Sequence, residues 1–220
     1  MPRKPRAAAP AGKPVLYVLA GVNGAGKSSV GGHLLERAGL SWFDPDAFAR
    51  ELAAATDCTI AEANAAAWHE GVRRLDAAIA ARAHHALETT LGGNTVPARI
   101  LQATRTHDVL MWFCGLDSPE RHIARVRARV AAGGHDIPEA KIRERYPAAL
   151  ENLIALMPHL AQLQVYDNSA EAAPGTAIPD PLLLLDMHAG RIVRPTALAA
   201  LRRTPDWAKP VLEAALRTQR

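Results

Sequence analysis

The sequence has few cysteines and few aromatic residues. Its two cysteines, Cys58 and Cys114, are far apart and belong to no CxxC or Cys/His pattern, so neither a zinc site nor a disulfide framework is indicated. Both are predicted to be small core residues. Aromatic residues make up only 5% of the chain, which leaves few stacking platforms for nucleic acid. The chain also lacks a signal-peptide core and any apolar run of 18 residues, so we expect a cytoplasmic protein without membrane contact.

The net charge of +4 is concentrated near the N-terminus. Four basic residues and no acidic ones occupy the first fourteen positions: Arg3, Lys4, Arg6 and Lys13. The rest of the chain is close to neutral, so nucleic acid is not an expected partner. The opening "MPRKPRAAAPAGKP" has no apolar period and predicts a disordered basic tail over residues 1–14. Residues 15–220 are expected to form one domain, because this length holds one α/β core and hardly two.

Short apolar runs alternate with helical patterns along the chain. "VLYVLA" predicts a buried first strand, and "LSWF", "HALETTL", "DVLMWFCGL", "LQVYDN" and "PLLLLDM" predict further strands. A long helix is predicted from Thr59, with Trp68, Val72, Leu75 and Ile79 facing the core. A later arginine-bearing helix is expected to be interrupted at Pro147. The alternation predicts an α/β fold with a mainly parallel central sheet covered by helices on both faces.

A phosphate-binding loop follows the first strand. Gly21, Gly26, Lys27 and Ser28 match G-x-x-x-x-G-K-[ST], with a strand before the loop and a helical pattern after it. Lys27 is predicted to reach the terminal phosphates of ATP, and Ser28 to ligate Mg²⁺. The residues predicted to bind the nucleotide here are Gly21, Asn23, Gly24, Ala25, Gly26, Lys27, Ser28 and Ser29.

The rest of the chain indicates which kind of P-loop protein this is. It contains neither the NKxD base reader of GTPases nor the LSGGQ signature of ABC ATPases. "LLLLD", ending at Asp186, resembles a Walker B strand, but it lies late in the chain and no glutamate follows, so a surface aspartate is the favoured interpretation. What remains favours a kinase, which needs a base for the acceptor hydroxyl and cations around the transferred group.

Candidates for both parts are present. Asp46 follows the second predicted strand and could accept the hydroxyl proton, although on residue chemistry alone "DPDAF" could equally be a helix cap. Asp44, two residues earlier, is the less favoured base. Two groups of arginines flank the Gly133-Gly134 break: Arg121, Arg125 and Arg129, then Arg143 and Arg145. Together they predict a helical, arginine-bearing lid over about residues 121–147.

Five strings in order resemble the zeta-toxin family of P-loop kinases and its uncharacterised "predicted ATPase" relatives. They are "GVNGAGKSS", "FDPDAFA", "LETTL", "SPERHIARVRARVAAGGHDIPEAKIRERYPAALENL" and "VYDNS". Zeta toxins phosphorylate a sugar hydroxyl of UDP-N-acetylglucosamine with ATP. The "HDIPE…RYP" pattern is typical of the uncharacterised relatives.

The resemblance implies a role for particular residues. Asp46 matches the catalytic aspartate, and Glu88 and Thr90 match a pair that contacts the sugar substrate. Arg129 and Arg145 match arginines that stabilise the transferred phosphate, with Arg125 and Arg143 as neighbours that could exchange roles with them. The implied ligands are ATP, Mg²⁺ and a nucleotide sugar, and an antitoxin protein is a possible partner.

Two other functions stay open. A polynucleotide 5′-hydroxyl kinase shares the P-loop, the aspartate and the arginine lid, but it would need a basic acceptor channel. A nucleotide-binding module would instead use ATP to engage a protein partner without phosphoryl transfer.

Overall fold

The structure, a computed structural model, describes residues 12–27, 43–171, 179–196 and 201–219. Its strands are β1 (Val15–Ala20), β2 (His85–Thr89), β3 (Asp108–Gly115), β4 (Gln162–Asp167), β5 (Leu182–His188) and β6 (Arg191–Arg194). Its α-helices with described bounds are α1 (Pro45–Ala55), α2 (Ile60–Ala81), α3 (Thr95–Ala103), α4 (Pro119–Ala131), α5 (Glu139–Leu156) and α6 (Lys209–Arg217). Short 3₁₀ turns follow α5 at Met157–His159 and precede α6 at Asp206–Ala208.

One six-stranded sheet organises the chain. Its strand order is β2-β1-β3-β4-β5-β6. The first four strands run parallel, whereas β5 and β6 are antiparallel to their neighbours. The predicted α/β fold with a mainly parallel sheet is therefore confirmed. Because parallel strands end at the same edge, Ala20, Thr89, Gly115 and Asp167 bring the chain segments that follow them together.

The central strand shows why this sequence forms a covered sheet. Leu16 and Val18 point to one face of β1 and Leu19 points to the other, and none of the three is exposed. A strand buried on both faces is continuously apolar rather than alternating, as "VLYVLA" is. Helices therefore cover both faces of β1.

The antiparallel end of the sheet was only partly predicted. "PLLLLDM" does form a strand, but β5 runs against β4, and the short β6 was not predicted. Since β5 is reversed, its carboxyl end lies at the edge opposite the phosphate loop. Asp186 is paired in register with Gln164 and lies 3.2 Å from His188. This direction agrees with the expectation that Asp186 is not a Walker B residue. The expected surface position is wrong, however, because the Asp186 side chain is only 13% exposed.

The predicted interruption at Pro147 is wrong, because α5 continues through it from Glu139 to Leu156. A proline inside a helix removes one hydrogen bond and costs roughly 3 kcal/mol. Ile142 before the proline and Ala149 and Leu153 after it are fully buried in one core cluster. Burial of apolar side chains on both sides of Pro147 offsets the cost and keeps the helix continuous.

The predicted core stripe of α2 is also wrong at Trp68. Leu75 is buried, but Trp68 is 46% exposed. The N-terminal half of α2 packs on α1 through small residues, Ala63 and Ala67, instead of on the sheet. This pairing leaves Trp68 beside a cavity.

Other predictions fall partly or wholly outside the described residues. They are the helix from Ser28 to Ala38, most of "LSWF", and the tail up to residue 11. Of "LSWF", Phe43 is described and bridges Leu87 in parallel.

Cys114 is buried as predicted, and Cys58 is half-buried beside Ala63 and Ala67. Among the helices in the described part of the chain, none has the length and apolar character to cross a membrane.

Candidate active site

The phosphate loop between β1 and Lys27 needs its glycines for conformation and for space. Gly21, Gly24 and Gly26 have φ values of 139°, 83° and 83°, which L side chains rarely adopt. A Cβ at Gly24 would lie 2.7 Å from the backbone oxygen of His122, and one at Gly26 would lie 2.4 Å from Asn168 Nδ2. The loop therefore packs closely on neighbouring segments. The N–H groups of Gly21 and Ala25 donate to the carbonyl oxygens of Thr89 and Val22 at 3.1 and 3.0 Å, so the other N–H groups of the loop are the candidates for a phosphate.

Three side chains hold this loop in shape. His122 Nδ1 lies 2.8 Å from the carbonyl oxygen of Asn23, and Arg145 Nη1 donates to Asn23 Oδ1 at 2.8 Å. Asn168 Nδ2 donates to the carbonyl oxygen of Ala25 at 2.9 Å. These three contacts attach the loop to α4, to α5 and to the segment after β4. They engage oxygen atoms of the loop and none of its backbone N–H groups.

His122 is a buried, neutral histidine. Burial is the main cause that lowers its pKa to about 4, and nearby Lys27 and Arg125 lower it further, against a hydrogen bond to Asn23 that raises it. Because a carbonyl oxygen only accepts, the neutral ring must carry its proton on Nδ1. Its ring contacts Tyr146 edge to face with centroids 5.6 Å apart. Sequence reasoning missed His122, because nothing local distinguishes it from an ordinary core histidine.

Lys27 is paired with a carboxylate of the neighbouring strand β2. Its Nζ lies 3.3 Å from Glu88 Oε1, and the two side chains are 7% and 22% exposed. The pair joins the phosphate loop after β1 to the end of β2. Ser28 and Ser29, the predicted metal ligand and its neighbour, lie outside the described residues.

A cavity of about 1020 Å³ opens beside Lys27. It brings together most of the residues predicted to act in catalysis and acceptor binding: Lys27, Asp46, Glu88, Thr90, Arg129 and Arg145. Asn23 also lines it, whereas Arg125 and Arg143 are not in its lining. The exposed apolar side chains of Trp68 and Ile60 form part of the wall.

The two aspartates of "DPDAF" have different positions. Asp44 Oδ1 accepts from the N–H groups of Asp46 and Ala47 at 2.9 and 3.1 Å, so Asp44 is the N-cap of α1. Pro45 begins the helix, and Asp46 lies in its first turn. The capping role that was open from the sequence belongs to Asp44, and the Asp46 carboxylate is not used for it.

Three of the five arginines of the predicted lid are engaged away from the cavity. Arg121 pairs with Asp117 at 2.8 Å and with Glu171, and Arg143 pairs with Glu120 at 2.6 Å. Arg125 donates to the carbonyl oxygen of Asn168 at 2.7 Å and to that of Ala170 at 3.3 Å. Arg125 thereby ties α4 to the segment after β4, and Arg143 ties the start of α5 to α4.

Arg129 and Arg145 face the cavity. Arg129 Nη2 donates to the carbonyl oxygen of His135 at 2.6 Å, and its buried Nε has no hydrogen-bond partner. Arg145 reaches Asn23 in the phosphate loop. These two arginines are the ones that the resemblance assigned to the transferred phosphate, an assignment that stays a prediction.

Asn168 belongs to the "VYDNS" string, but the sequence alone did not predict its contact with the phosphate loop. Its position directly after a parallel strand, at the edge where β1 also ends, was the available signal.

The chain belongs to the AAA domain family, whose model matches residues 16–150. No curated protein matches its sequence significantly. Among solved structures, it is similar to a chain of the AvrRxo1-ORF1:-ORF2 complex with ATP, with a TM-score of 0.64 and 14% identity. That match covers 92% of this chain but 64% of the other, so this chain spans less than two thirds of that protein.

A second similar structure comes from the PezAT chromosomal toxin-antitoxin system of Streptococcus pneumoniae. Its TM-score is 0.56 at 13% identity, and the match covers 94% of this chain and 85% of that chain. The fold is that of P-loop kinases, and the resemblance to zeta-toxin-like kinases is confirmed at the level of the fold.

Proposed function

We propose that this protein is an ATP- and Mg²⁺-dependent kinase that phosphorylates a hydroxyl of a small acceptor, a UDP-activated amino sugar. One observation carries the proposal: Asp46, Lys27, Arg129 and Arg145 line a single cavity beside the phosphate loop. A carboxylate and three cations around one space are the groups that phosphoryl transfer to a hydroxyl requires. One of the two similar solved structures is a complex with ATP, which supports ATP as the ligand of this loop.

ATP supplies the phosphoryl group, and the chain positions it. Backbone N–H groups of the loop other than those of Gly21 and Ala25, together with the Lys27 ammonium, hold the terminal phosphates, and Ser28 is the proposed ligand of the accompanying Mg²⁺. The loop suits a phosphate because Gly24 and Gly26 have positive φ values, a backbone conformation that turns successive N–H groups towards one anion. Lys27 is now paired with the Glu88 carboxylate. When a phosphate takes the place of that carboxylate, the lysine stays paired with an anion.

In the transfer itself, Asp46 accepts the proton of the acceptor hydroxyl as its oxygen bonds to the terminal phosphorus. The bond from that phosphorus to the bridging oxygen breaks, and ADP leaves with the bond electrons. Arg129 and Arg145 stabilise the charge on the equatorial oxygens. Glu88 and Thr90 hydrogen-bond the acceptor, and residues of about 121–147 form the lid over the phosphates.

The cavity supports an acceptor larger than a simple sugar. Its volume of about 1020 Å³ is at the upper end of the 300–1,000 Å³ that is typical of small-molecule sites. Its wall combines Lys141 and Arg145 with exposed apolar side chains, including Trp68. A molecule with an anionic portion and a flat apolar portion matches this lining, as a nucleotide sugar does.

A protein partner is part of the proposal. The two similar structures are named as a two-component complex and a toxin-antitoxin system. An antitoxin-like partner that covers the cavity would block the acceptor. We further propose that residues 15–220 act as one cytoplasmic kinase domain with the basic tail outside it.

The test is ADP release by the purified protein with Mg²⁺ and ATP, against a panel of UDP-sugars and the matching free sugars. UDP-N-acetylglucosamine should stimulate release. Asp46→Asn should lower the stimulated rate about 100- to 10,000-fold while ATP binding persists. Lys27→Ala should abolish it. Labelling of a 5′-hydroxyl oligonucleotide would favour a polynucleotide kinase, and tight ATP binding without turnover on any acceptor would favour a binding module.

A further inference from the structure

We propose that Gly92 and Asn23 are positioning residues for Arg145, and that together they aim its guanidinium at the transferred phosphate. The inference rests on the proposed kinase function. It gives a role to the loop between β2 and α3, residues 90–94. Three contacts carry the argument.

The first contact is the close approach of Gly92 to the base of the Arg145 side chain. A Cβ on Gly92 would lie 2.4 Å from Arg145 Cγ, 2.5 Å from its Cβ and 3.0 Å from its Cα. Rotation of the flexible end of the arginine cannot relieve contacts at Cβ and Cα. Any larger residue at position 92 must therefore displace the start of α5 or change the direction of the arginine.

The second contact fixes the other end of the same side chain. Arg145 Nη1 donates to Asn23 Oδ1 at 2.8 Å. The backbone of Asn23 is in turn held by His122, whose Nδ1 lies 2.8 Å from the Asn23 carbonyl oxygen. Asn23 therefore offers a fixed acceptor, and the guanidinium is held within the phosphate loop before any nucleotide arrives.

The third contact makes the β2–α3 loop a rigid support. Asn152 Nδ2 donates to the carbonyl oxygens of Leu91 and Gly93 at 2.7 and 3.1 Å. Leu91 is buried and has a φ of 54°, a left-handed conformation that is costly for a leucine. Because Asn152 and Arg145 both belong to α5, the helix that carries the arginine also fixes the loop that presses on it.

The consequence is electrostatic preorganisation. A long arginine loses considerable rotamer freedom when it binds a phosphate, and a preset orientation removes that loss from the transfer step. A short movement of the Arg145 guanidinium lets a phosphate oxygen replace Asn23 Oδ1 as its acceptor. The arrangement predicts that Arg145 discriminates ATP from ADP, since only ATP carries the terminal group.

The chain offers a matched pair of glycines for the test. Gly93 adjoins Gly92, and a Cβ there meets nothing within 4 Å. Neither glycine has a positive φ, so alanine is conformationally acceptable at both positions. Gly92→Ala, Gly93→Ala, Asn23→Ala and Arg145→Ala are made in the full chain, together with Gly92→Ala/Arg145→Ala and Asn23→Ala/Arg145→Ala.

Two quantities are measured with Mg²⁺ present: the ratio of the Kd values for ADP and ATP, and the acceptor-stimulated rate. Gly92→Ala should reduce both about 10- to 100-fold, towards the values of Arg145→Ala, whereas Gly93→Ala stays within about twofold of the wild type. In the Arg145→Ala background, neither Gly92→Ala nor Asn23→Ala should reduce either quantity further. Thermal unfolding identifies variants that retain the fold.

Asn23→Ala keeps the test valid if Gly92→Ala does not fold, because it adds no volume. The inference is overturned if Gly92→Ala and Asn23→Ala both behave like the wild type, or if their losses persist undiminished without Arg145. A wild type that binds ATP no better than ADP also overturns it. A wild type that prefers ATP but transfers to no acceptor contradicts the proposed kinase function instead, and the ratio of Kd values then decides the inference.

Discussion

Lys27 Nζ and Glu88 Oε1 lie 3.3 Å apart in a site where the lysine is almost fully buried. The lysine belongs to the phosphate loop and the glutamate to the neighbouring strand β2. A buried ammonium needs a counter-charge, and Glu88 supplies one in the absence of nucleotide. In the proposed kinase, this pair would link the binding of ATP to the residues proposed to contact the acceptor.

Glu88→Gln should increase the affinity for a nonhydrolysable ATP analogue. The variant removes a carboxylate that competes with phosphate for Lys27. We expect a gain of about 1 kcal/mol in binding free energy, which lowers the Kd for the analogue roughly fivefold. Titration calorimetry measures it directly. Glu144→Gln is the matched control, because Glu144 also lines the cavity but pairs with exposed Lys141. Equal or weaker ATP binding by Glu88→Gln would contradict the competition.

Asp44→Ala should destabilise the protein by about 1 kcal/mol, the usual contribution of an N-cap side chain. The reason is the loss of the two hydrogen bonds that Asp44 Oδ1 accepts at the start of α1. Urea unfolding measures the change. Asp46→Asn should leave the free energy of unfolding within about 0.5 kcal/mol, since its side chain does not cap the helix. If the two variants were equally destabilised, the division of roles between the aspartates would be wrong.

The stability of the protein should fall as the pH drops from about 6.5 towards about 4. Burial lowers the pKa of His122 from 6.5 to about 4, so in this window the unfolded chain binds a proton at His122 that the folded chain does not. The shift corresponds to about 3 kcal/mol lost by the lower end of the window. Urea unfolding at several pH values measures the slope.

His122→Asn provides the comparison for that slope. The asparagine side chain at position 122 does not titrate in this window, and it retains a donor for the Asn23 carbonyl oxygen. Its stability should depend less steeply on pH than that of the wild type, whatever its stability at neutral pH. Parallel slopes for the two proteins would show that His122 does not govern the acid sensitivity.

The sequence was most informative where one residue pattern has one structural solution. The run "VLYVLA" before a glycine loop predicts a buried central strand, as observed. The predicted helix break at Pro147 and the predicted burial of Trp68 are wrong, because tertiary contacts determine the structure at both positions. At Pro147, buried residues on either side hold the helix together. At Trp68, the packing of α1 on α2 turns the ring towards the cavity.

The candidate site was predictable where residues follow strands. Lys27 and Asp46 line one cavity because the strand or apolar run before each ends at one edge of the sheet. Glu88, which the resemblance indicated, lies near the end of β2 at the same edge. The positions of Arg129 and Arg145 could not be chosen from helical periodicity, which treats all five arginines alike. Asp117, Glu120 and Asn168 engage the other three, and those contacts arise only from the folded arrangement.

The position of β1 between β2 and β3 has a consequence for divergence. Residues that support the phosphate loop, His122 and Asn168, follow β3 and β4. Asp46, Trp68 and Glu88 all belong to the segment 43–90, on the β2 side. Mutations can therefore accumulate in that one contiguous segment and change the acceptor of the proposed kinase, while the phosphate donor and its support are inherited unchanged.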